Sequence, residues 1–312
     1  MHLFIQIPCF NEEKTISKVI KSLPKRLKGI KKISIAILDD GSTDNTVKIV
    51  KKNFPYVKIC SNVNNQGLAA NFRKGIDYAL DNKADIIVNI DGDNQYKGKD
   101  VERLINPIIY DNFDYVIGER KFNNIKSFSL FKKFLQYSGN FFVRKIVNIE
   151  TKDATSGFRA YNRKAASKIF YTNNFTYTIE SLIHFTGTKL LLKSIKIETN
   201  KKERESRLFK SNYEYILKTF FIIIKTLILK KPLQFFTFFS IFFLILGLLF
   251  FSEWYLMWIE NSKDLSITPR LLLGTTLIIL SLQSFTIGII SYFHSINLYT
   301  EIEILSKIKI KK

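Results

Sequence analysis

Up to about residue 210, short apolar runs alternate with longer amphipathic stretches. Residues 3–7, 33–38, 56–60, 85–90 and 114–117 are apolar and of strand length. Between them, apolar positions fall at helical spacing: after Asn11-Glu12-Glu13 through Leu23, after Ser42 or Thr43 (either suits an N-cap), from Leu68 to Leu80, and over 99–110. Strands and helices alternating at this interval predict βαβ units and a mostly parallel sheet. Residues 121–150 are helical in pattern and basic (Lys126, Lys132, Lys133, Arg144, Lys145). A turn at 153–158 then leads into a short strand. A short helix follows over 178–187, carrying Glu180 and His184, and a last strand over 190–197.

The pattern then changes. Within 211–229, Glu214, Lys218 and Lys225 share one helical face and Ile, Leu and Phe fill the others, as in a helix lying in a membrane interface. A surface helix packed on the soluble domain is the plainer reading. Residues 232–252 and 271–293 are free of charged side chains except at their flanks, and each is long enough to cross a ~30 Å hydrocarbon core. The expected organisation is therefore a soluble α/β domain over 1–210, an amphipathic helix over 211–231, two spans within 232–300, and a basic tail over 301–312. Positive flanks on both outer sides and a charge-poor loop between the spans put both termini in the cytoplasm. The chain opens on a strand pattern without a signal-peptide pattern, which also places the soluble domain on the cytoplasmic side of a multi-pass inner-membrane protein.

Charge sharpens this division. The net charge is +21, from 48 Lys and Arg against 27 Asp and Glu, and nine of the basic residues lie within 201–231. Such an excess attracts phosphate groups or an anionic membrane surface, although a Lys- and Ile-rich composition also accounts for part of it. Its concentration beside an apolar span disfavours nucleic acid as the partner. With three histidines, a His-based zinc site or a Ser-His-Asp triad is improbable. Cys9 and Cys60 have no metal-type spacing and read as reduced core-edge residues.

Polar clusters follow strands one, two, four and five at their C-terminal ends, where open α/β sheets bind ligands. After the fourth comes Asp91-Gly92-Asp93-Asn94-Gln95. Two carboxylates on such a turn suit Mg²⁺ or Mn²⁺ shared with substrate phosphates. Gly92 keeps bulk out of the turn and permits unusual backbone angles. Asp, Gly and Asn also favour turns for conformational reasons alone. Neither GxGxxG nor GxxxxGK[ST] is present, which disfavours dinucleotide dehydrogenases and P-loop NTPases.

In order, the chain carries Ile-Pro-x-x-Asn-Glu-Glu (7–13), Asp-Asp-Gly-Ser-Thr-Asp (39–44), Asn-x-Gly (65–67), Asp-x-Asp-x-Gln (91–95), Gly-x-Arg (118–120), Asp-x-x-Ser-Gly-Phe-Arg (153–159) and Arg-x-Ser-Arg (204–207). Over residues 4–210 this series resembles inverting family 2 glycosyltransferases of the polyprenyl-phosphate, dolichol-phosphate mannosyltransferase-like branch. The two C-terminal spans resemble its membrane-anchored members. The resemblance implies a GT-A fold and a nucleotide-diphosphate sugar donor, UDP- or GDP-linked. Pro8, Asn11, Glu12, Asp39, Asp40, Ser42 and Asp91 would contact the donor, and Asp91, Asp93 and Gln95 would form the metal and diphosphate site. Arg120, Arg204, Ser206 and Arg207 would hold the acceptor phosphate, with Asp93, Asp153 and Arg120 at the catalytic centre. The Gln-x-x-Arg-Trp motif of processive synthases is absent, which argues against polymerisation. Glu119 stands where a small residue is more usual, and 204–207 lacks the glycine common in the mannosyl branch.

A lipid monophosphate acceptor is already anionic at neutral pH, whereas a sugar hydroxyl needs a general base. The leading expectation is transfer of a sugar, with inversion, to a polyprenyl (undecaprenyl) phosphate in the membrane. A hydroxyl acceptor on a lipid-linked glycan, with Asp153 as base, is the first alternative, and a catalytically silent membrane adaptor the second. A separate flippase is expected for the product, and the chain is compatible with a homo-oligomer.

Overall fold

A computed structural model of the chain describes residues 1–120, 153–170, 177–185, 188–200, 221, 224–225, 227–259 and 267–311. The basic stretch at 121–150, the 204–207 motif and most of the expected amphipathic helix lie outside these residues. Contacts divide the chain into two compact units, one of residues 1–223 and 302–312 and the other of residues 224–301.

In the first unit, strands β1 (His2–Cys9), β2 (Lys32–Asp39), β3 (Lys58–Ser61), β4 (Ile86–Asn89), β5 (Tyr115–Arg120), β6 (Arg159–Asn162) and β7 (Leu192–Ile197) form one sheet. Their order is β3-β2-β1-β4-β6-β5-β7. β6 runs antiparallel to both its neighbours; the other pairings are parallel. Helices α1 (Ile16–Ser22), α2 (Thr46–Asn53), α3 (Leu68–Asp81), α4 (Val101–Tyr110), α5 (Arg163–Ser167) and α6 (Thr178–Phe185) cover it.

Both faces of the sheet are buried, so its strands read as continuous apolar runs. Leu3, Ile5 and Ile7 of β1 join Ile86 and Val88 of β4 in a core with Val19, Val50 and Leu104. On the other face, Phe4, Ile87 and Tyr161 pack with Phe72, Ile76 and Leu182. The strand order turns around between β1 and β4. Their C-terminal ends flank the crevice that such a reversal opens.

Three local expectations change. β5 continues through Arg120, which pairs with Ile197, so Gly118-Glu119-Arg120 belongs to the strand and not to a loop past its end. Parallel pairing with β7 carries the strand that far. α2 starts at Thr46, with Asn45 at its cap, because residues 42–44 are engaged by the neighbouring loop. The left-handed residue of the Asp-Gly-Asp turn is Asn94 (φ 61°), not Gly92. Gly92 serves space instead: a Cβ there would stand 3.2 Å from both Cys9 Cβ and the Pro8 carbonyl oxygen.

The second unit is dominated by α7 (Pro232–Ile259) and most of α8 (Ile267–Lys311). Both are long and apolar enough to cross a membrane. They meet through small residues. A Cβ on Gly247 would stand 3.0 Å from the Gly274 carbonyl oxygen. The Ser240 and Ser281 hydroxyls lie 3.1 Å apart, and Ser284 donates to the Phe236 carbonyl at 3.1 Å. Close backbone approach with hydroxyl bonds suits helix pairs in lipid, where apolar side chains gain nothing by leaving the acyl chains. α8 is 45 residues long and includes the expected tail. Within the first unit, Lys309 pairs with Asp77 of α3, its carbonyl accepts from Arg163 at 3.2 Å, and Ser306 is buried.

Candidate active site

The loops after β1 and β2 are laced together. Asn11 takes a left-handed conformation (φ 57°), which turns its side chain towards the second loop. Its Oδ1 accepts from the Thr43 N–H at 2.8 Å, and its own N–H donates to the Ser42 hydroxyl at 2.8 Å. The Glu12 N–H donates to Thr46 Oγ1, and the Glu13 N–H to Asp44. Asp39 accepts from the Ser42 N–H at 3.1 Å. Asp40 reaches the third loop, accepting from Asn62 Nδ2 (2.8 Å), the Gln66 N–H (2.9 Å) and the Gly67 N–H (3.0 Å). Pro8 lies one residue before the end of β1, and its carbonyl accepts from the Gly92 N–H at 3.3 Å. The structure thus brings Pro8, Asn11, Glu12, Asp39, Asp40 and Ser42 to one edge of the sheet.

β4 delivers the carboxylates to the same edge. Asp93 Oδ1 accepts from the Gln95 N–H at 3.0 Å, closing the turn, and the Gln95 carbonyl accepts from the Asn200 N–H. Asp91 faces Gly157, where a Cβ would come within 2.6 Å of Asp91 Oδ2. Burial, and then the neighbouring Asp93 carboxylate, push Asp91 up to about 7, against the pull of Arg120.

Arg120 and Asp153 form a two-pronged pair. Arg120 Nε donates to Asp153 Oδ2 at 2.7 Å and Nη2 to Oδ1 at 3.0 Å; Nη2 also reaches Thr155 Oγ1 at 3.0 Å. Asp153 is fully buried, whereas the Arg120 side chain retains 16% exposure. Burial alone would lower the Arg120 guanidinium, but Tyr96, Asp153 and Asp91 around it hold it above its ordinary value. Of the expected site residues, only Arg204, Ser206 and Arg207 lie outside the described residues.

Four residues to which the sequence reading gave no role complete the geometry. Gly157 makes room for Asp91. Tyr96, itself pushed up to about 12 chiefly by burial, accepts from the Gly157 N–H at 3.1 Å. Asn89 Nδ2 donates to the Gly157 carbonyl at 2.8 Å. Arg159 is fully buried, and its guanidinium donates to the carbonyls of Ala154, Ser156 and Thr178. A polar side chain inside an otherwise apolar strand run was the available signal for Asn89, while Gly157 and Arg159 stood in the 153–159 motif.

The sequence model of glycosyl transferase family 2 matches residues 4–170. The chain belongs to glycosyltransferase family 2. The enzyme is 34% identical over 202 residues to an uncharacterised protein of Methanocaldococcus jannaschii, a match covering 63% of this chain and 81% of that one. It is 30% identical over 217 residues to the UDP-N-acetylglucosamine–dolichyl-phosphate N-acetylglucosaminyltransferase of Methanococcus voltae (63% and 85% covered). It is 22% identical over 307 residues to the dodecaprenyl-phosphate galacturonate synthase of Rhizobium johnstonii, and that match covers 93% of this chain and 87% of the other. Among solved structures, it resembles Mycobacterium tuberculosis glucosyl-3-phosphoglycerate synthase in complex with Mn²⁺, UDP and glucosyl-3-phosphoglycerate. The TM-score is 0.54 at 18% identity, over 72% of this chain and 78% of that one. The likeness shows the fold, which is GT-A.

The donor set of this glycosyltransferase fits a hard divalent cation. Asp91 and Asp93 offer carboxylate oxygens beside each other, and their mutual repulsion is the kind a cation relieves. Among the described residues no group of three or more His, Cys, Asp and Glu side chains converges to hold a metal. Two carboxylates leave the remaining positions of an octahedral ion to water and phosphate oxygens, the usual arrangement for Mg²⁺ at a diphosphate.

Proposed function

We propose that this glycosyltransferase moves a sugar, with inversion, from a UDP- or GDP-linked donor to a polyprenyl phosphate at the cytoplasmic face of the membrane. The observation that carries the reading is the Arg120–Asp153 pair beside Asp91, in a chain with two membrane-length helices. An arginine held in place by a carboxylate brings a fixed positive charge to a phosphate. Asp153 is fully buried, and Arg120 Nε and Nη2 occupy both of its oxygens, so it is poorly placed to take a proton from a hydroxyl acceptor. Acting through Arg120, it holds the guanidinium in place. The names of the dolichyl- and dodecaprenyl-phosphate enzymes among the relatives support the same acceptor class.

In this mechanism Pro8, Asn11, Glu12, Asp39, Asp40 and Ser42 form the donor-binding edge. Asp91 and Asp93, with Gln95 on the same turn, would hold Mg²⁺ or Mn²⁺ at the donor diphosphate. The cation, when bound, offsets charge growing on the leaving nucleotide diphosphate. Arg120 holds the acceptor phosphate in line with the anomeric carbon, joined by Arg204, Ser206 and Arg207 from the basic segment before the first span. An anionic acceptor oxygen attacks that carbon as the nucleotide diphosphate leaves, so the reaction consumes no enzyme base. The organisation we propose is a catalytic domain over 1–210, an interfacial helix over 211–231, two spans and a basic tail. Packing of Lys309 on Asp77 supports the tail and the catalytic domain sharing one side of the membrane.

The test is transfer of label from a panel of nucleotide sugars into organic-extractable lipid, in membranes supplied with undecaprenyl phosphate and Mg²⁺ or Mn²⁺. Label from one donor, lost with Asp93→Ala, is expected. Nucleotide binding without lipid labelling from any donor would redirect the reading to another acceptor.

A further inference from the structure

A row of three buried polar side chains crosses the sheet one step short of the site. Gln6 of β1 pairs in register with Asn89 of β4, and Asn89 with Arg159 of β6. All three are wholly buried and interrupt the apolar face that carries Phe4, Ile87 and Tyr161. Burying polar groups is costly unless they are paired; apart from Gln6 Oε1 these are paired, and the pairing has a direction. The Gly157 carbonyl is an acceptor only, so the Asn89 atom 2.8 Å from it is the amide nitrogen. That turns Asn89 Oδ1 towards Gln6, whose Nε2 donates to it at 2.9 Å. The same Asn89 nitrogen lies 2.8 Å from the Tyr177 hydroxyl and 3.4 Å from Asp91 Oδ1. Beside it, Arg159 binds the carbonyls of Ala154 and Ser156, on the segment that carries Asp153 and Gly157.

We propose that Asn89 is a positioning residue, which fixes the Asp91 carboxylate against the Gly157 backbone so that Asp91 faces the donor diphosphate. The role rests on the reading of Asp91 and Asp93 as the metal–diphosphate site, and it adds to that site a residue lying below it. Asp91 is packed against Gly157 on one side, and the Asn89 amide touches both partners at once. Without that amide the Gly157 carbonyl keeps the Tyr177 hydroxyl, at 3.2 Å, and the Gly157 N–H its bond to Tyr96, but the side-chain link between Gly157 and Asp91 is lost. Tyr177 is held separately by stacking on Phe72, with ring centroids 3.7 Å apart.

The experiment is calorimetry of UDP and of GDP, each with and without Mn²⁺, on the detergent-solubilised full-length chain. The proteins are wild type, Asn89→Leu, Asn89→Ser, Tyr177→Phe and Asp93→Ala, with melting temperatures taken on each. Asn89→Leu is expected to weaken the Mn²⁺-dependent part of nucleotide affinity by about 10–100-fold, the range for residues supporting metal ligands. The Mn²⁺-independent part is expected to stay as in wild type. Asn89→Ser, which keeps one donor in less volume, shifts in the same direction by less. Tyr177→Phe removes a hydroxyl bonded to both Asn89 and Gly157 but leaves the Asn89 amide in place, so it should lower the melting temperature and change the Mn²⁺ dependence less than Asn89→Leu does. If both Asn89 variants bind like wild type with Mn²⁺ while Asp93→Ala does not, the positioning role is overturned and the metal site stands. A loss of melting temperature alone, shared equally by the Asn89 and Tyr177 variants, also overturns it. If wild type and Asp93→Ala respond to Mn²⁺ alike, the metal-site reading falls and takes this role with it.

Discussion

Gly157 and Asp91 are the two residues whose contact decides how the site is built. A methyl group on Gly157 would sit 2.6 Å from Asp91 Oδ2, well inside van der Waals contact, and the carboxylate would have to move. Gly157→Ala should leave a folded protein whose kcat falls by about 10–100-fold, since a displacement near 1 Å at a reacting site costs that much. Steady-state kinetics beside a circular dichroism melt check it; unchanged kcat would show that Asp91 tolerates the shift. The charge on Asp91 gives a second prediction. In the unfolded chain a carboxyl of this kind titrates near 3.9, while in the folded metal-free enzyme Asp91 is held at about 7, chiefly by burial. Between those values the folded chain keeps a proton that the unfolded chain has released, so this group's contribution to stability falls as pH rises and is lowest above about 7. Asp91→Asn should therefore melt higher than wild type in chelator at about pH 8, and lose Mn²⁺-dependent nucleotide binding. An equal or lower melting temperature would contradict the charge account. Asp91 and Asp93 were legible in the sequence because carboxylates two apart after an apolar run are a local signal. Gly157 stood only as one position of the 153–159 motif and Asn89 only as a polar residue in an apolar run; their contact comes from strand β6 returning antiparallel beside β4, which joins residues 68 positions apart.

At the scale of elements, the alternation of apolar runs gave each strand approximately, because strands buried on both faces leave a continuous apolar trace. Their ends were harder. β5 was expected to stop at 117 and runs to Arg120, since its partner β7 supplies ladder hydrogen bonds that no local pattern announces. The long helices show the same limit. α7 ends at Ile259 and α8 extends through Lys311, both past the stretches that hydropathy alone marks. What holds these two helices together is specific. Gly247 lies against the Gly274 backbone, and Ser240 faces Ser281. Gly247→Leu should force the helices apart there, destabilising the pair by about 1–3 kcal/mol, the usual range for overpacking. Cysteines placed at Ser240 and Ser281 read this directly. Disulfide formation in the otherwise wild-type chain should be lost when Gly247→Leu is added. Cross-linking that survives would mean the pair is held elsewhere.

The whole molecule joins a GT-A catalytic domain to helices of membrane length, with nine of its 48 basic residues within 201–231, where the two meet in sequence. That arrangement suits an acceptor that is both anionic and lipid. An isolated arginine–carboxylate pair would be weak evidence, and so would two apolar helices; their presence in one chain, with family 2 membership, gives the reading its force. The acceptor we propose is the phosphate itself. The most direct measurement offers the purified full-length enzyme two acceptors side by side, undecaprenyl phosphate and an undecaprenyl-diphosphate-linked sugar, with the labelled donor and Mn²⁺. Label is expected on the monophosphate alone, with Arg120→Lys sharply reduced because an ammonium cannot reproduce the two-pronged hold on Asp153 that fixes the side chain. Label appearing only on the lipid-linked sugar, with Arg120→Lys active, would contradict it.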